Sequence, residues 1–288
     1  MAPRTTALLL ATLVSLPCTA ASAQQDSAYR EFVAPDSVRI RYVMRGSGPP
    51  LVLLHGFALS AAMNWIGPGA ADSLAAAFTV IVPDLRGHGH SDKPHDVAKY
   101  GVHFVTDIVA LLDHLGIPKA HVAGYSMGGM IALKLLTAHP ERVRAAVLGG
   151  AGWPPPDAAP PPFLADWLAN LDRAARGEIT VTEALSLPGA RPVRAAITAA
   201  LDRNDPAALA AVLRGSAGLG VSENDVRAIR IPVHAVLGEM DQGARANVDA
   251  LARRVPHLTV TILPGLDHRS AMADPRVAQA IRRFLRAV

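Results

Sequence analysis

HVAGYSMGGMIALKLLTAH (residues 121–139) joins a short apolar run to a helical pattern through a serine that stands between two glycines. The run HVAG is typical of a buried strand, and MGGMIALKLLTAH is typical of a helix. Ser126 would then occupy a sharp strand-to-helix turn, in which Gly124 and Gly128 omit the Cβ atoms that would crowd the backbone. A serine in such a turn is a candidate nucleophile, because the N-terminus of the following helix favours a developing negative charge.

Strand-like runs of the same kind recur on both sides of this turn. They are short and mostly apolar, as expected for parallel strands that are covered on both faces. The six runs lie at 50–56, 78–84, 120–124, 144–150, 231–239 and 258–265. Helical patterns separate them, for example 105–116, which Gly116 ends, and 274–288, which Asp274 and Pro275 open. The alternation predicts an α/β fold with a mostly parallel central sheet flanked by helices, and residues 30–48 predict an antiparallel hairpin at its edge.

An insertion separates the fourth and fifth of these strands. Residues 153–163, WPPPDAAPPPF, are too rich in proline for a helix or a central strand and predict a stiff, extended connection. Helical patterns alone follow to about Arg227, the last of them with Ser222 and Asp225 spaced as a capping box. Because the insertion leaves one sheet and returns to it, a helical cap is favoured over a separate domain. The predicted divisions are a signal peptide at 1–23, an α/β core at 24–152 and 228–288, and the cap at 153–227.

The first 25 residues, MAPRTTALLLATLVSLPCTAASAQQ, have the pattern of a secretory signal peptide. Arg4 precedes an apolar run that ends at Leu16, and small residues precede a cleavage point after Ala23. The run is shorter than the ~20 apolar residues that span a bilayer, so we predict no stable membrane insertion and a secreted or periplasmic location. Cys18, the single cysteine, would leave with this segment, which excludes disulfides and cysteine-ligated metals from the mature chain.

The composition excludes further classes of protein. The chain has 288 residues, of which 50% are hydrophobic and 18% charged, so it is long and apolar enough to bury a large core. Lys and Arg total 28 against 24 Asp and Glu, a surplus too small to indicate binding to nucleic acid. The composition leaves the oligomeric state undetermined.

A serine nucleophile needs a base and an acid, and in an α/β sheet these lie at the carboxyl ends of strands. His268 follows the last predicted strand, whereas His257 precedes that strand and belongs at the opposite edge. Glu239 and Asp241 both follow the fifth strand. The chain order serine, acid, histidine at three strand ends predicts a catalytic triad with either carboxylate as its acid.

The segment HGHSDKPH (88–95) contains a pattern found in metal sites, because His88, His90 and Asp92 repeat the HxHxD spacing of metallo-β-lactamases. Those sites need a second histidine immediately after the aspartate, and Lys93 stands there. We therefore predict no metal at this loop.

Five segments together resemble the α/β-hydrolase superfamily, in its capped esterase, haloperoxidase and C–C hydrolase branch, and the resemblance extends over essentially the whole mature chain. They are HGF (55–57), DLRGHGHSD (84–92), GYSMGG (124–129), GEMD (238–241) and GLDH (265–268). The roles that the resemblance implies are nucleophile for Ser126, acid for Asp241 rather than Glu239, base for His268, and backbone oxyanion-hole donors for Phe57 and Met127. It implies no cofactor.

Two positions depart from the family pattern. Asp267 precedes His268 where the family more often has glycine, and it either competes for the imidazole or, as we predict, faces solvent. Gln242 and Gly243 follow Asp241 in place of the usual proline-containing turn. The serine at position 126 argues against haloalkane dehalogenases and most epoxide hydrolases of this fold, which use an aspartate there.

The sequence therefore predicts an exported serine hydrolase that cleaves a carboxylic ester of a small molecule through an acyl-enzyme. The alternatives on the same triad are hydrolysis of a C–C bond, cleavage of a lactone or amide, and cofactor-free perhydrolase or haloperoxidase chemistry. A non-enzymatic ligand receptor is an alternative of another class. Trp153, Trp167 and Met272, with Phe57 and Met127, are candidates to line an apolar substrate pocket under the cap, and core packing is the alternative for each.

Overall fold

The computed structural model describes residues 29–186 and 195–288, so the signal peptide predicted at 1–23 lies outside the described residues. The strands are β1 (Arg30–Val33), β2 (Arg39–Arg45), β3 (Pro50–Leu54), β4 (Thr79–Pro83), β5 (Ala120–Tyr125), β6 (Val143–Gly149), β7 (Val233–Gly238) and β8 (Thr259–Leu263). Within the described ranges they form an eight-stranded sheet in the order β1-β2-β4-β3-β5-β6-β7-β8.

The sheet is mostly parallel, with an antiparallel hairpin at one edge. β1 and β2 pair antiparallel across a turn in which the N–H of Ala34 donates to the carbonyl of Val38. β2 is also antiparallel to β4, whereas the pairings from β4 through β3 to β8 are parallel. The predicted hairpin and parallel sheet are confirmed. Since parallel strands end at one edge, the loops after β3, β5, β7 and β8 come together there.

Burial along the strands follows their position in the sheet. Every residue of β5 and of β7 is buried, as their continuous apolar sequences predict. β8 differs, because Val260 and Ile262 are 41% and 39% exposed. The prediction that the strand at 258–265 is covered on both faces is therefore wrong. The physical reason is that β8 is the outermost strand and pairs only with β7 among the described strands.

Helices connect the strands at the predicted places. They are α1 (Ala70–Ala75), α2 (His103–His114), α3 (Met127–Ala138), α4 (Phe163–Ala175), α5 (Val181–Ala184), α6 (Ala195–Leu201), α7 (Pro206–Gly215), α8 (Glu223–Arg227), α9 (Gln242–Ala252), α10 (His268–Met272) and α11 (Pro275–Leu285). Short 3-10 turns lie at Val97–Lys99, Pro140–Arg142 and Ser216–Leu219, and a π-helical turn lies at Ala62–Ile66. No helix in the described part of the chain is long and apolar enough to cross a membrane.

Two predicted helix caps have different outcomes. Asp274 caps α11 by accepting the N–H of Arg276, as predicted. Ser222 caps α8 by accepting the N–H of Asp225, which confirms half of the predicted capping box. The other half is wrong, because the carboxylate of Asp225 accepts the hydroxyl proton of Ser222 instead of reaching back to its N–H.

The sheet is packed from both sides, which fixes the strand that leads to Ser126. Successive side chains of a strand point to opposite faces. Val52 and Val122 belong to the buried cluster that α2 and α3 complete. Leu53 and Ala123 belong to the buried cluster on the other face, which α1 and α11 complete. β3 and β5 therefore lie between two apolar layers, and their ends have little freedom to move.

α4 to α8 lie between β6 and β7 and form the helical cap. Residues 153–162 approach it without helix or strand, as their prolines predict. Leu171 of α4, Val181 of α5 and Leu209 of α7 share a buried cluster with Ala58, which lies in the loop after β3. The cap is thereby packed onto the carboxyl edge of the sheet.

A buried arginine fixes the loop after β4. Arg86 is fully buried, and its Nε and NH2 groups donate to the carboxylate of Asp107 on α2 at 2.7 and 2.6 Å. Its NH1 and NH2 groups also donate to Asp36, in the β1–β2 turn, at 2.9 and 3.1 Å. The guanidinium holds the pKa of Asp36 well below its usual range. One cation therefore joins a turn, a loop and a helix beneath the carboxyl edge.

Candidate active site

Ser126 lies in a single-residue turn between β5 and α3. Its φ of +54° is a strained conformation for a residue with a side chain, and its N–H donates to the carbonyl of Gly149 at 2.7 Å. A Cβ on Gly124 would lie 2.0 Å from the carbonyl oxygen of Gly128, and a Cβ on Gly128 would lie 2.2 Å from that of Leu54. The steric reason predicted for both glycines is confirmed, since backbone segments pass where side chains would be.

Three side chains from separate loops form a hydrogen-bonded chain at the carboxyl edge. Nε2 of His268, the first residue of α10, lies 3.0 Å from Oγ of Ser126. Nδ1 of the same ring lies 2.6 Å from Oδ2 of Asp241, and this N–H donates because a carboxylate only accepts. Nε2 is therefore the acceptor that faces the serine hydroxyl, which is the tautomer of a general base. The Asp241 side chain is 7% exposed and that of His268 42%, so the ring is open to solvent.

The two carboxylates that the sequence left open have different partners. Asp241 is the N-cap of α9, and its Oδ1 accepts the N–H of Ala244 at 3.1 Å while its Oδ2 accepts from His268. Glu239 is exposed, and its Oε2 accepts the N–H of Gly265 at 3.0 Å. The helix cap fixes the orientation of the Asp241 carboxylate, with one oxygen for the backbone and one for the imidazole.

Asp267 holds the backbone that carries His268. Its carboxylate accepts the N–H groups of Arg269 and Ser270 at 3.1 and 2.8 Å, and its own N–H donates to Oγ of Ser270 at 2.9 Å. The residue is exposed, as predicted, but it is also the N-cap of α10. A carboxylate at this position serves as a helix cap, which a glycine cannot supply through a side chain.

Tyr125 holds the same backbone from the other side, and sequence reasoning missed it. Its hydroxyl donates to the carbonyl of His268 at 2.8 Å, across 143 positions of sequence. Burial, with the charges of Asp241 and Asp267, raises the pKa of Tyr125 well above its usual range, so the hydroxyl stays a donor. The sequence offered one signal, a phenol beside the candidate nucleophile, and nothing that indicated its partner.

The loop after β3 lies against Ser126. A Cβ on Gly56 would lie 3.5 Å from Cβ of Ser126, and the N–H of Gly56 donates to Asn64 at 2.9 Å. His55 is fully buried, and burial lowers its pKa so that the ring is neutral. Its Nδ1 donates to the carbonyl of Gly56 at 2.8 Å, and its Nε2 accepts the N–H of Leu85 at 2.9 Å. The ring thus holds the backbone that leads into Phe57.

The three candidate pocket residues have different surroundings. The Trp167 ring, on α4, stacks on that of Phe57 with 6.0 Å between centroids and 19° between planes. Trp153 is 1% exposed, and its Nε1 donates to the carbonyl of Val221 at 2.9 Å. Met272 is partly buried against the apolar cluster that α1 and α11 complete. The structure thus brings Trp167 to the loop beside Ser126, and it places Trp153 and Met272 in packing contacts.

The HxHxD residues have three separate partners. Nδ1 of buried His88 donates to the carbonyl of Arg86 at 3.0 Å, and burial, reinforced by the nearby His55, lowers the pKa of His88 to about 3. The N–H of His90 donates to Asp84 at 2.8 Å, and Asp92 accepts three hydrogen bonds from the Arg39 guanidinium and one from the Arg39 backbone N–H. Among the described residues no group of three or more His, Cys, Asp or Glu side chains is placed to hold a metal ion.

Comparisons with known proteins extend these observations. The family model described as alpha/beta hydrolase fold matches residues 49–187. A thermophilic esterase from Thermogutta terrifontis superimposes with a TM-score of 0.77 and 26% identity, over 90% of this chain and 98% of that chain.

Two curated relatives match shorter segments. A 2-hydroxymuconate semialdehyde hydrolase of Pseudomonas putida is 39% identical over 109 residues, 37% of this chain and 38% of the relative. Bifunctional epoxide hydrolase 2 of Mus musculus is 34% identical over 126 residues, 42% of this chain and 22% of the relative. The chain thus spans well under half the length of these curated relatives. The family match, the shared fold and the positions of the three side chains at strand ends agree, and the chain belongs to the α/β-hydrolase superfamily.

Proposed function

We propose that this chain is a serine hydrolase that cleaves a carboxylic ester of a small molecule. The observation that carries the proposal is the hydrogen-bonded chain from Ser126 Oγ through His268 to Asp241, at 3.0 and 2.6 Å. A nucleophile, a base that accepts its proton, and a buried anion that orients the base are the three parts that acyl transfer needs.

In the first half of the reaction His268 takes the proton of Ser126 as Oγ attacks the ester carbonyl carbon. The imidazolium that forms is stabilised by the carboxylate of Asp241, which remains ionised. Collapse of the tetrahedral intermediate breaks the bond to the alcohol oxygen, and His268 returns the proton to that oxygen. The products of this half are a free alcohol and an ester of Ser126.

The negative charge of the intermediate needs donors beside Ser126. The backbone N–H of Met127 belongs to the first turn of α3, where N–H groups lack partners within the helix. The N–H of Phe57 follows Gly56, which lies against Ser126. We assign the oxyanion hole to these two groups, and the loss of one such donor typically costs ~3 kcal/mol of transition-state stabilisation.

In the second half water releases the acyl group. The His268 side chain is 42% exposed, so water can reach it; Nε2 then takes a proton from the water as the water oxygen attacks the acyl carbon. Collapse of the second intermediate restores the Ser126 hydroxyl and yields a carboxylic acid. The sum is one ester and one water converted to one acid and one alcohol.

We propose that the substrate is a small molecule whose apolar part contacts the cap. Phe57 and Trp167 stack beside the nucleophile and offer two aromatic faces. An ester is favoured because the similar chain from Thermogutta terrifontis, which aligns over 98% of its length, is an esterase.

A second candidate function is hydrolysis of a C–C bond with the same three residues. It is favoured by the 39% identity to the 2-hydroxymuconate semialdehyde hydrolase of Pseudomonas putida over 109 residues. The likeness to an epoxide hydrolase favours that activity less, because most such enzymes of this fold place an aspartate where this chain has Ser126.

We also propose that the protein acts after export. This rests on the pattern of residues 1–23, with cleavage after Ala23. N-terminal sequencing of protein collected from the periplasm or medium would test it, and a chain that keeps Met1 there would contradict it.

The experiment treats the purified protein with a fluorophosphonate, locates the adduct by peptide mass spectrometry, and measures turnover of a panel of p-nitrophenyl esters. We expect the adduct on Ser126 and turnover that Ser126→Ala abolishes, whereas Ser73→Ala, at an exposed serine of α1, leaves both unchanged. An adduct elsewhere, or ester turnover that survives Ser126→Ala, would overturn the proposal.

The same experiment separates the alternatives. Labelled Ser126 with turnover of 2-hydroxymuconate semialdehyde but no ester turnover would assign the C–C reaction. Turnover of lactones or peracid formation alone would assign those reactions, and labelling without any turnover would favour a ligand receptor.

A further inference from the structure

A cavity of about 630 Å³ lies at the amino edge of the sheet, away from the triad. It is bordered by His121 near the start of β5, Arg144 near the start of β6, Pro232 before β7, and the end of α11. Since His121 and Ser126 are five residues apart along an extended strand, the two sites are separated by about 16 Å at 3.3 Å per residue. The cavity therefore belongs to neither the triad nor the cap, and its volume is within the range of small-molecule sites.

The walls of this cavity are of two kinds. Phe78, Leu285 and Pro232 supply apolar surface, and the three polar side chains His121, Arg144 and Arg286 supply hydrogen-bond donors. An apolar wall that faces a few convergent polar groups is the usual composition of a ligand site. The two arginines make the polar side cationic.

His121 is a buried polar side chain, and one of its ring nitrogens has no hydrogen-bond partner among the described residues. It is 6% exposed, its ring meets the edge of Phe78 at 6.0 Å, and its Nδ1 has no hydrogen-bond partner within residues 29–186 and 195–288. Burial, assisted by the charge of Arg144, lowers the pKa of His121, so the ring is neutral at neutral pH. Leaving such a group unpaired costs free energy, which a ligand placed in the cavity would recover.

Within the described part of the chain, the two arginines also lack carboxylate partners. Nε of Arg144 donates to the backbone carbonyl of Lys119 at 3.1 Å. No Asp or Glu carboxylate among residues 29–186 and 195–288 forms an ion pair with Arg144 or Arg286. By contrast, the neighbouring Arg142 is paired with Asp113.

We propose that this cavity binds a small organic carboxylate with an apolar tail. Its carboxylate lies between the guanidinium groups of Arg144 and Arg286, and His121 donates a hydrogen bond to it. Its tail lies along Phe78 and Leu285. The cationic side selects an anion, because guanidinium groups match the planar geometry of a carboxylate, and the apolar wall selects an organic anion over an inorganic one.

The test measures binding of hexanoate, hexanamide and inorganic phosphate by calorimetry, with the histidine ring signals followed by NMR. We expect hexanoate to bind and to shift the signals of His121, hexanamide to bind at least about tenfold more weakly for lack of charge, and phosphate to bind more weakly for lack of a tail. Equal binding of hexanamide and hexanoate would overturn the proposal, as would the absence of any binding.

Variants locate the binding. The double substitution Arg144→Gln with Arg286→Gln is expected to weaken hexanoate binding at least about tenfold, and both positions are exposed, so folding is retained. Arg253→Gln, at an exposed arginine of the α9 end, is the matched control and should leave affinity within about twofold. Hexanoate binding that is unchanged in the double variant would place the ligand elsewhere, at the triad for example. Ser126→Ala is expected to bind hexanoate at the amino edge with unchanged affinity, so the result stands whether or not the chain is a hydrolase.

Discussion

Substitution of Asp241 by asparagine tests the proposed base, because the helix cap decides how the new amide is oriented. In the native chain Oδ1 of Asp241 accepts a hydrogen bond from the backbone N–H of Ala244, and Oδ2 accepts one from the ring Nδ1–H of His268. The backbone N–H can only donate, so the amide oxygen stays with Ala244 and the amide NH2 faces the imidazole. Nδ1 of His268 must then accept, the ring proton moves to Nε2, and Ser126 loses its proton acceptor.

The expected size of this effect is large. A wrong tautomer in a triad of this kind lowers kcat by about 10⁴, or ~5.4 kcal/mol of transition-state stabilisation. The folded state should lose much less, since the cap to Ala244 and the packing around Asp241 are kept. The measurements are the rate of fluorophosphonate labelling at Ser126, turnover of a p-nitrophenyl ester, and the ¹⁵N signals of His268, which report the tautomer directly.

Glu239→Gln is the matched control, because it makes the same change two residues away. Its oxygen still accepts the N–H of Gly265, so labelling and turnover should stay within about twofold of the native rates. The reasoning is refuted if Asp241→Asn labels Ser126 within about tenfold of the native rate, or if Glu239→Gln loses as much activity.

Three further substitutions have expected outcomes. Tyr125→Phe removes the hydrogen bond to the His268 carbonyl, so kcat should fall about tenfold while KM is unchanged. The acid limb of the pH–rate profile should be displaced, and an unchanged profile would contradict the prediction. Arg86→Met leaves the buried carboxylate of Asp107 without its cationic partner and should lower the free energy of unfolding by about 3–5 kcal/mol in urea titrations, whereas Arg39→Met, in an exposed pair, should change it far less. His88→Leu should reduce the loss of stability on acidification. The native ring stays neutral down to about pH 3, whereas the ring in the unfolded chain takes a proton below its ordinary pKa, so the native protein loses about 1.4 kcal/mol of unfolding free energy per pH unit as pH falls between these values. Unfolding measured at several pH values would show this difference.

Features that depend on neighbouring residues could be predicted from the sequence. The turn at Ser126 needs Gly124 and Gly128 for reasons that are visible within five positions, and the structure gives the distances. Strand order along the chain was sufficient to place His268 at the carboxyl edge, because parallel strands leave the sheet on one side.

Features that depend on contacts between distant segments could not be predicted in this way. Glu239 and Asp241 follow the same strand, and the choice between them depends on which one caps α9 while it faces His268. Tyr125 and its partner are 143 positions apart, so no local pattern indicates the bond. The exposure of β8 follows from its place at the edge of the sheet, which the alternation of strands and helices does not specify.

The contact between Gly128 and the carbonyl of Leu54 has a consequence for how substrate preference changes in this protein. It joins the segments that lead to the proposed donors, Met127 and Phe57, backbone to backbone, with no side chain between them. Mutations in side chains of the cap can reshape the space around a substrate without altering the spacing of those donors. Recognition and bond cleavage are therefore separable units for engineering: cap residues such as Trp167 are the positions to randomise, and the glycine contact is the part to leave intact.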